Sequence, residues 1–357
     1  MLKLRRGTVV AAEPLTVEVA GERRHAWADP ALIGPVEPGD EVIVNTEALD
    51  LDLGSGGFDI VHVNLTRGLA GGGASGGHVM KLNYTSLQHA VEPVEPPASS
   101  EGESTASAAH PPVLVLPLHG HLAPAAWAAA EARPGLRVGF VQCPGGALPG
   151  GLSRDVSDLR ERGLVRGHVT AGPAYGGEHE AISLVGAIDA AAGRLGWEAI
   201  VCGPGPGLLG SASHYGHGGM AALEAAHASL ALGLPTLVSP RMSASDPRPR
   251  HRGLSHHTAS VLALLLAPVR VPVPEIDLAG WPTGEGGGER PDLPSVIDAL
   301  HRACEGRHDV AVEPVDLEAY GSSGLPSTTM GRTIEEDPLF FAAPLAAGRA
   351  LAAVAAP

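Results

Sequence analysis

From Val113 onward the sequence alternates short apolar runs with segments of helical character, and this alternation restricts the fold more than any other feature. The apolar runs are the length of buried strands, and the segments between them are rich in helix formers. The predicted strands cover residues 113–118, 136–142, 167–171, 199–202, 236–239, 269–273 and 310–315. One of the helices predicted between these strands covers residues 178–195. Repeated strand–helix–strand units predict a Rossmann-like, three-layer α/β domain with a parallel sheet, covering residues 113–357.

The first 91 residues follow a different pattern. Short alternating runs such as LTVEVA and VIVNT are separated by turn signals, including Pro38, Gly39 and Asp40. This pattern predicts a small β-barrel domain over residues 1–91. Residues 92–112 combine Pro, Ser, Glu and Ala with little apolar surface to bury, which predicts a linker between the two domains.

Composition excludes several classes of partner. A net charge of −15 and an aromatic content of 3% disfavour nucleic acid, which needs a basic surface and aromatic side chains for stacking. No clean apolar run reaches the roughly 20 residues of a membrane span, and no export signal precedes Glu13 and Pro14. Three widely spaced cysteines argue against a disulfide framework. We expect a soluble, cytoplasmic protein that binds a small molecule. The composition is compatible with either a monomer or a homo-oligomer.

Histidines are concentrated where predicted strands end and helices begin. Parallel strands bring these junctions to one edge of the sheet, which predicts a site there. The eight histidines concerned are His119, His121, His179, His214, His217, His251, His256 and His257. The alternative is that polar, glycine-rich loops collect histidine for capping and packing.

Ser255 is a good N-cap residue, which would place His256 and His257 in the first turn of a helix. The helix dipole disfavours the imidazolium form there, so we expect neutral rings that act as a general base or as metal ligands. His251 and Asp246 would assist them. The same histidines, with Asp246, are candidates to hold a divalent metal, although no recognised metal spacing is present; helix capping is the alternative.

Arginines and glycines add a candidate anion site. Arg248, Arg250 and Arg252, with Arg241 before them, could clamp a phosphate or carboxylate near a helix N-terminus. Their alternative role is pairing with surface Asp and Glu. Gly205, Gly207 and His217 follow a strand and are candidate cofactor-binding residues, although prolines interrupt the GxGxxG match.

Four stretches are similar to an uncharacterised bacterial family, domain-of-unknown-function family 3866. They are KLNYTSLQ, GPGPGLLGSASHYGHGG, PRMSASDPRPRHRGLSHHT and STTMGRTIEED. The resemblance covers nearly the whole chain and implies no activity. From the loop chemistry we expect an enzyme that hydrolyses or transfers a group of a phosphorylated or other anionic small molecule. The alternative is a non-catalytic sensor of a nucleotide or metabolite that uses the same cleft.

Overall fold

The computed structural model describes residues 1–53, 56–73, 76–95, 110–211, 213–277 and 291–355. The chain divides into two compact units, Met1–Glu92 and Pro93–Pro357. Of the predicted linker over residues 92–112, residues 96–109 lie outside the described part of the chain. Pro93 already belongs to the second unit, where it forms a β-bridge with Glu180.

The first unit is a closed five-stranded barrel, as the sequence predicts. Its core is aliphatic, with Val9, Val17, Val42 and Val44 buried inside. The barrel strands are β1 (Leu4–Ala12), β2 (Leu15–Val19), β3 (Glu22–Trp27), β4 (Glu41–Asn45) and β5 (Asp59–Asn64), joined in the order β1-β2-β3-β5-β4. Two one-turn helices and a small hairpin complete the unit: α1 (Pro30–Ile33), α2 (Glu47–Asp50), β6 (Val79–Lys81) and β7 (His89–Val91).

The second unit is built on a parallel sheet of eight strands, which confirms the predicted α/β class. In chain order the strands are β8 (Val113–Val115), β9 (Val138–Cys143), β10 (His168–Ala171), β11 (His179–Ala181), β12 (Ala199–Pro204), β13 (Thr236–Val238), β16 (Arg270–Glu275) and β17 (Asp309–Pro314). Their order across the sheet is β11-β10-β9-β12-β8-β13-β16-β17. Two short antiparallel ribbons lie outside it: β14 (Met242–Ser243) with β15 (Gly253–Leu254), and β18 (Thr328–Thr329) with β19 (Arg332–Thr333).

Helices cover both faces of this sheet. Side chains alternate along each strand, so in β8 Val113 and Val115 face one core while Leu114 faces the other. The core around Leu114 takes α3 (Leu122–Ala132), α4 (Arg154–Glu161), α9 (Leu317–Gly321) and α10 (Pro338–Val354). The opposite core takes α5 (Leu184–Ala192), α6 (Ala221–Ala231), α7 (His256–Leu264) and α8 (Leu293–Cys304). The result is the predicted three-layer arrangement.

One predicted helix is wrong in part. Residues 178–195 contain the edge strand β11 before α5 begins at Leu184. Residues 179–181 pair with β10 instead, with Val169 in register with His179 and Ala171 with Ala181. The free edge of β10 therefore gains a short partner strand.

The crossover connections create a switch point between β8 and β12. The strands β8 and β12 are neighbours, yet β8 continues into α3 on one face of the sheet and β12 into α6 on the other. The loops that follow these strands diverge at their carboxyl ends, and such a switch point is where open α/β sheets bind ligands.

Helix α10 packs closely against α3 at Gly348. A Cβ atom at Gly348 would lie 2.0 Å from the carbonyl oxygen of Ala125, so the two backbones meet only because this residue is glycine. No helix in the described parts of the chain, α10 included, is long and apolar enough to cross a membrane.

Replacing Gly348 with alanine is expected to destabilise the second unit by about 2 kcal/mol. The added methyl must push two helix backbones apart, which costs about 3 kcal/mol at the upper end of overpacking, and alanine regains about 1 kcal/mol in helix propensity. Urea denaturation followed by circular dichroism measures the change. Gly151→Ala is the matched control, because a Cβ there meets no atom within 4 Å. A Gly348→Ala protein as stable as the control would contradict the prediction.

Candidate functional site

The loops after β12 and β13 carry the candidate site to the carboxyl edge of the sheet. The loop after β12 brings His217 to the start of α6. The loop after β13 contains the β14–β15 ribbon; His251 lies between its two strands, and β15 leads into the first turn of α7. Two segments that are distant in sequence are thus placed side by side.

Four imidazole rings form one cluster, made of His217, His251, His256 and His257. The rings of His217 and His257 are stacked, with centroids 3.7 Å apart and planes 9° from parallel. His256 lies 4.4 Å from His257 and 5.2 Å from His217, between ring centroids. His251 closes the group, 4.8 Å from His257 and 5.0 Å from His256. We call this group the histidine cluster.

Two ring nitrogens of the histidine cluster have no hydrogen-bond partner among the described residues. His217 Nε2 lies 3.2 Å from the carbonyl oxygen of His214, so Nε2 must carry the proton and Nδ1 the lone pair. That Nδ1 atom is buried without a hydrogen-bond partner, and so is Nε2 of His256. Since buried polar atoms are normally paired, both nitrogens indicate a missing partner.

The four rings are held neutral. Burial is the largest cause and lowers the pKa of His251 to about 3 and that of His257 to about 2, with the charge of Arg241 adding to it. Burial also lowers the pKa of His217 and of His256. Ser255 caps α7 as predicted, its Oγ accepting from the backbone N–H of His257 at 3.2 Å. The rings are neutral as the sequence predicts, and desolvation is the largest cause.

A buried network of arginine and aspartate adjoins the cluster. Nη1 of Arg241 lies 3.4 Å from Nδ1 of His257, and Nη2 of the same side chain lies 3.5 Å from the carboxylate of Asp246. Asp246 also accepts two hydrogen bonds from Arg248, at 2.9 and 2.8 Å, and lies 3.7 Å from Arg332. Although burial alone would raise the pKa of Asp246, the bonds and charges of Arg248, with the charge of Arg332, hold it well below its usual value.

A second carboxylate completes this network. Asp337 accepts from Ser243 Oγ and from the backbone N–H of Ala244, both at 2.6 Å, and pairs with Arg332 at 3.1 Å. Three guanidinium groups therefore face two carboxylates among the described residues. The pKa of Arg241 is lowered to about 10, chiefly by burial; the positive charges of Arg248 and Arg332 add to this effect and the charge of Asp246 opposes it.

The predicted anion-binding arginines differ in their surroundings. Arg248 is engaged bidentately by Asp246, and Arg252 donates to the backbone carbonyl of Asp246 at 3.3 Å. Arg250 is exposed, and within the described ranges it forms no ion pair. Its charge is nevertheless close enough to His256 to help lower the pKa of that ring. Of the three, Arg250 is the residue that can contact a ligand without breaking an existing bond.

The two candidate cofactor-binding glycines have backbone roles: Gly205 permits a close backbone contact, and Gly207 adopts a positive φ. A Cβ at Gly205 would lie 2.3 Å from the carbonyl oxygen of Ala147, since the loops after β9 and β12 run against each other. Ala147 N donates to the carbonyl of Pro206 at 2.7 Å across the same contact. Gly207 has a positive φ of 71° and open space around its Cα. Gly205 and Gly207 therefore determine the backbone path of the loop after β12, and no ring of the histidine cluster is among the atoms nearest to a Cβ at either position.

The other strand-end histidines lie outside the cluster. His119 donates from Nδ1 to the carbonyl of Pro204 at 3.1 Å, and its Nε2 accepts from Ser153 Oγ at 2.6 Å, so both ring nitrogens are satisfied within the protein. His121 pairs through Nδ1 with Ser239 at 2.9 Å. His179 lies in the edge strand β11, and His214 is exposed. Position at a strand end therefore did not decide which rings meet.

Three residues of the site were not among the predicted ones: Arg332, Asp337 and Gly219. Arg332 and Asp337 belong to the STTMGRTIEED stretch, far from the histidines in sequence, and no spacing rule links the two segments. Gly219 immediately precedes the first residues of α6, and a Cβ there would lie 2.9 Å from Nδ1 of His257 and 3.0 Å from Nδ1 of His217. The run of glycines before α6 was the available signal for this close approach.

A family model described as "Protein of unknown function (DUF3866)" matches residues 25–348. The matched range contains the whole histidine cluster and the arginine–aspartate network. No curated protein and no solved structure matches the chain.

Proposed function

The chain belongs to the DUF3866 family, whose description names no activity, and we propose from the site geometry that it is an enzyme acting on a phosphorylated or other anionic small molecule. The reaction class is hydrolysis or group transfer at the histidine cluster. The observation that carries the proposal is the charge imbalance beside the cluster, where Arg241, Arg248 and Arg332 face Asp246 and Asp337.

Arg241 and Arg332 are 6% and 14% exposed, whereas Arg248 is 40% exposed, so the excess positive charge lies at a partly buried site that solvent can reach. Such an excess favours an anionic partner, because charges held away from water are costly. Arg241 is the best placed to meet one, since it contacts His257 as well as Asp246. Arg250 can add a second contact from the exposed side. Asp246 acts as a positioning residue that holds Arg241 and Arg248 in place.

The cluster supplies the proton acceptor for such a reaction. A neutral imidazole next to a bound anion can accept a proton from water or from a substrate hydroxyl as the new bond forms. His256 is the best candidate, because its Nε2 has no partner among the described residues and its side chain is partly exposed. His251, His257 and His217 hold its ring in place through direct contacts.

A panel of phosphate monoesters, phosphodiesters and carboxylate esters tests the proposal by release of phosphate or acid. We expect His256→Gln to lower kcat by about 100- to 10,000-fold, the range usual for loss of a general base. Arg250→Met should raise KM with a smaller change in kcat, as expected for a binding contact. The control is His301→Gln, since His301 is exposed on α8, away from the cluster.

A wild-type protein that turns over no member of the panel, but whose melting temperature rises with one of them, would contradict the enzyme proposal. That result would favour the sensor. A ligand at about 100 times its Kd adds about 2.7 kcal/mol to the free energy of unfolding, so such binding is measurable.

A further inference from the structure

Three rings of the histidine cluster have the placement of metal ligands. One ring nitrogen from each of His217, His256 and His257 lies within 4.8 Å of the other two. We propose that these three side chains form a binding site for a divalent transition metal ion of the zinc type. The site rests on observations of its own. An ion bound there would use the lone pair of His256 Nε2, so the proton-acceptor role proposed above for this ring belongs to the metal-free protein.

His217 has a ring nitrogen whose lone pair is not used within the described residues. Its Nε2 is used by the carbonyl of His214, which leaves Nδ1 as the acceptor, and Nδ1 has no partner in the described part of the chain. Both this atom and Nδ1 of His257 border the space where Gly219 lacks a side chain. The absence of a side chain at Gly219 thus keeps the space next to two acceptor nitrogens free, as a bound cation requires.

The other two ligands are also available. His256 Nε2 is buried and unpaired among the described residues. The ring of His257 makes one hydrogen bond there, the long 3.4 Å contact from Arg241 Nη1, and Arg241 keeps Asp246 as a partner if that contact is broken. No strong bond has to be lost for the three nitrogens to coordinate an ion.

The donor set selects the metal class. Three imidazoles and an open fourth position are typical of catalytic zinc sites, whereas Mg²⁺ and Ca²⁺ require oxygen ligands. Asp246, the nearest carboxylate of the network, is already bound by arginines and is not part of the set. Tetrahedral zinc needs nitrogens about 3.3 Å apart, so the stacked rings of His217 and His257 must tilt when the ion binds.

The neighbouring arginine sets the conditions for binding. Arg241 places a positive charge beside His257, and this charge repels a dication unless an anion occupies the open coordination position. We therefore expect zinc to bind more tightly in the presence of inorganic phosphate than in its absence.

Calorimetric titration of Zn²⁺ into EDTA-treated, dialysed protein without a polyhistidine tag tests the site. The wild type should bind one equivalent, and more tightly with phosphate present. His217→Gln and His256→Gln should each weaken binding by more than about 100-fold, beyond the 10- to 100-fold usual for outer-shell partners. His301→Gln should bind as the wild type does. Co²⁺ in place of Zn²⁺ should give the visible absorption bands of a four-coordinate ion.

Gly219→Ala tests whether weaker zinc binding reflects a change at the site or a general loss of fold. It keeps all three ligands but places a methyl group about 3 Å from two of their Nδ1 atoms, so zinc affinity should fall by at least about 10-fold while the circular dichroism spectrum is retained. The proposal is overturned if the wild type binds no stoichiometric zinc with or without phosphate, or if both histidine variants bind zinc as the wild type does. Absence of zinc binding would leave the enzyme proposal intact, whereas zinc binding without turnover would leave only the metal site.

Discussion

Lowering the pH from 7.5 to 5 is expected to reduce the free energy of unfolding of the second unit by at least about 4 kcal/mol. Two buried histidines outside the cluster, His121 and His168, account for this much, and the lowered pKa values of the cluster histidines add to it. The side chains of His121 and His168 are 0% and 4% exposed. Burial lowers the pKa of each to about 3, and nearby positive groups add to the effect: Arg241 at His121, and His119 and Arg160 at His168. In the unfolded chain both titrate near 6.5.

The sign follows from proton binding. Between about pH 3 and pH 6.5 the unfolded state binds more protons than the folded state, so stability falls as the pH falls through this window. Each histidine contributes about 1.4 kcal/mol per pH unit, hence about 2 kcal/mol at pH 5, which is 1.5 units below 6.5. The full contribution is present above about pH 6.5.

Urea denaturation at a series of pH values between 5 and 7.5 measures this loss. His168→Gln should reduce the pH-dependent loss by about 2 kcal/mol, whatever its effect on stability at pH 7.5. His301→Gln, which changes an exposed histidine of the same unit, should retain the wild-type pH dependence. Equal stability at pH 7.5 and pH 5 would show that these rings can be protonated without unfolding.

Replacing Asp246 with asparagine is expected to destabilise the second unit by about 3–5 kcal/mol at pH 7. The carboxylate is 0% exposed and lies within 4 Å of Arg241, Arg248 and Arg332. Its removal leaves three guanidinium groups with Asp337 alone among the described residues, and breaking a buried ion pair from one side usually costs this much.

Asp309→Asn is the matched control. Asp309 pairs with Arg270 at 2.8 Å, but both side chains are exposed, so its loss should cost no more than about 1 kcal/mol. The pKa of Asp246 is far below its unfolded value of about 3.9, so its contribution persists at pH 5, where that of the histidines has declined. An Asp246→Asn protein as stable as the control would show that the network is not stabilised by this carboxylate.

The sequence alone determined the layers of the second unit and the sheet edge at which the histidine cluster lies. Buried strands are uniformly apolar, and the helices between them are recognisable by their helix-forming composition, so the alternation after Val113 was sufficient to predict them. Local chemistry was equally readable, and Ser255 caps α7 as predicted because an N-cap depends on residues a few positions apart. The edge strand β11 was missed because three residues are too few to show an alternation.

Only the tertiary structure decided which polar residues meet. Eight histidines lie near strand ends, but the strand order across the sheet determines which loops are adjacent, and apolar runs of similar composition do not encode that order. His119 forms hydrogen bonds with Ser153 and with the carbonyl of Pro204, away from the cluster. His217, from another loop, stacks on His257. Arg332 and Asp337 join the network from a segment near the end of the chain. Such contacts depend on how distant segments pack, because a buried charge or an unpaired nitrogen acquires its properties from neighbours that the local sequence does not contain.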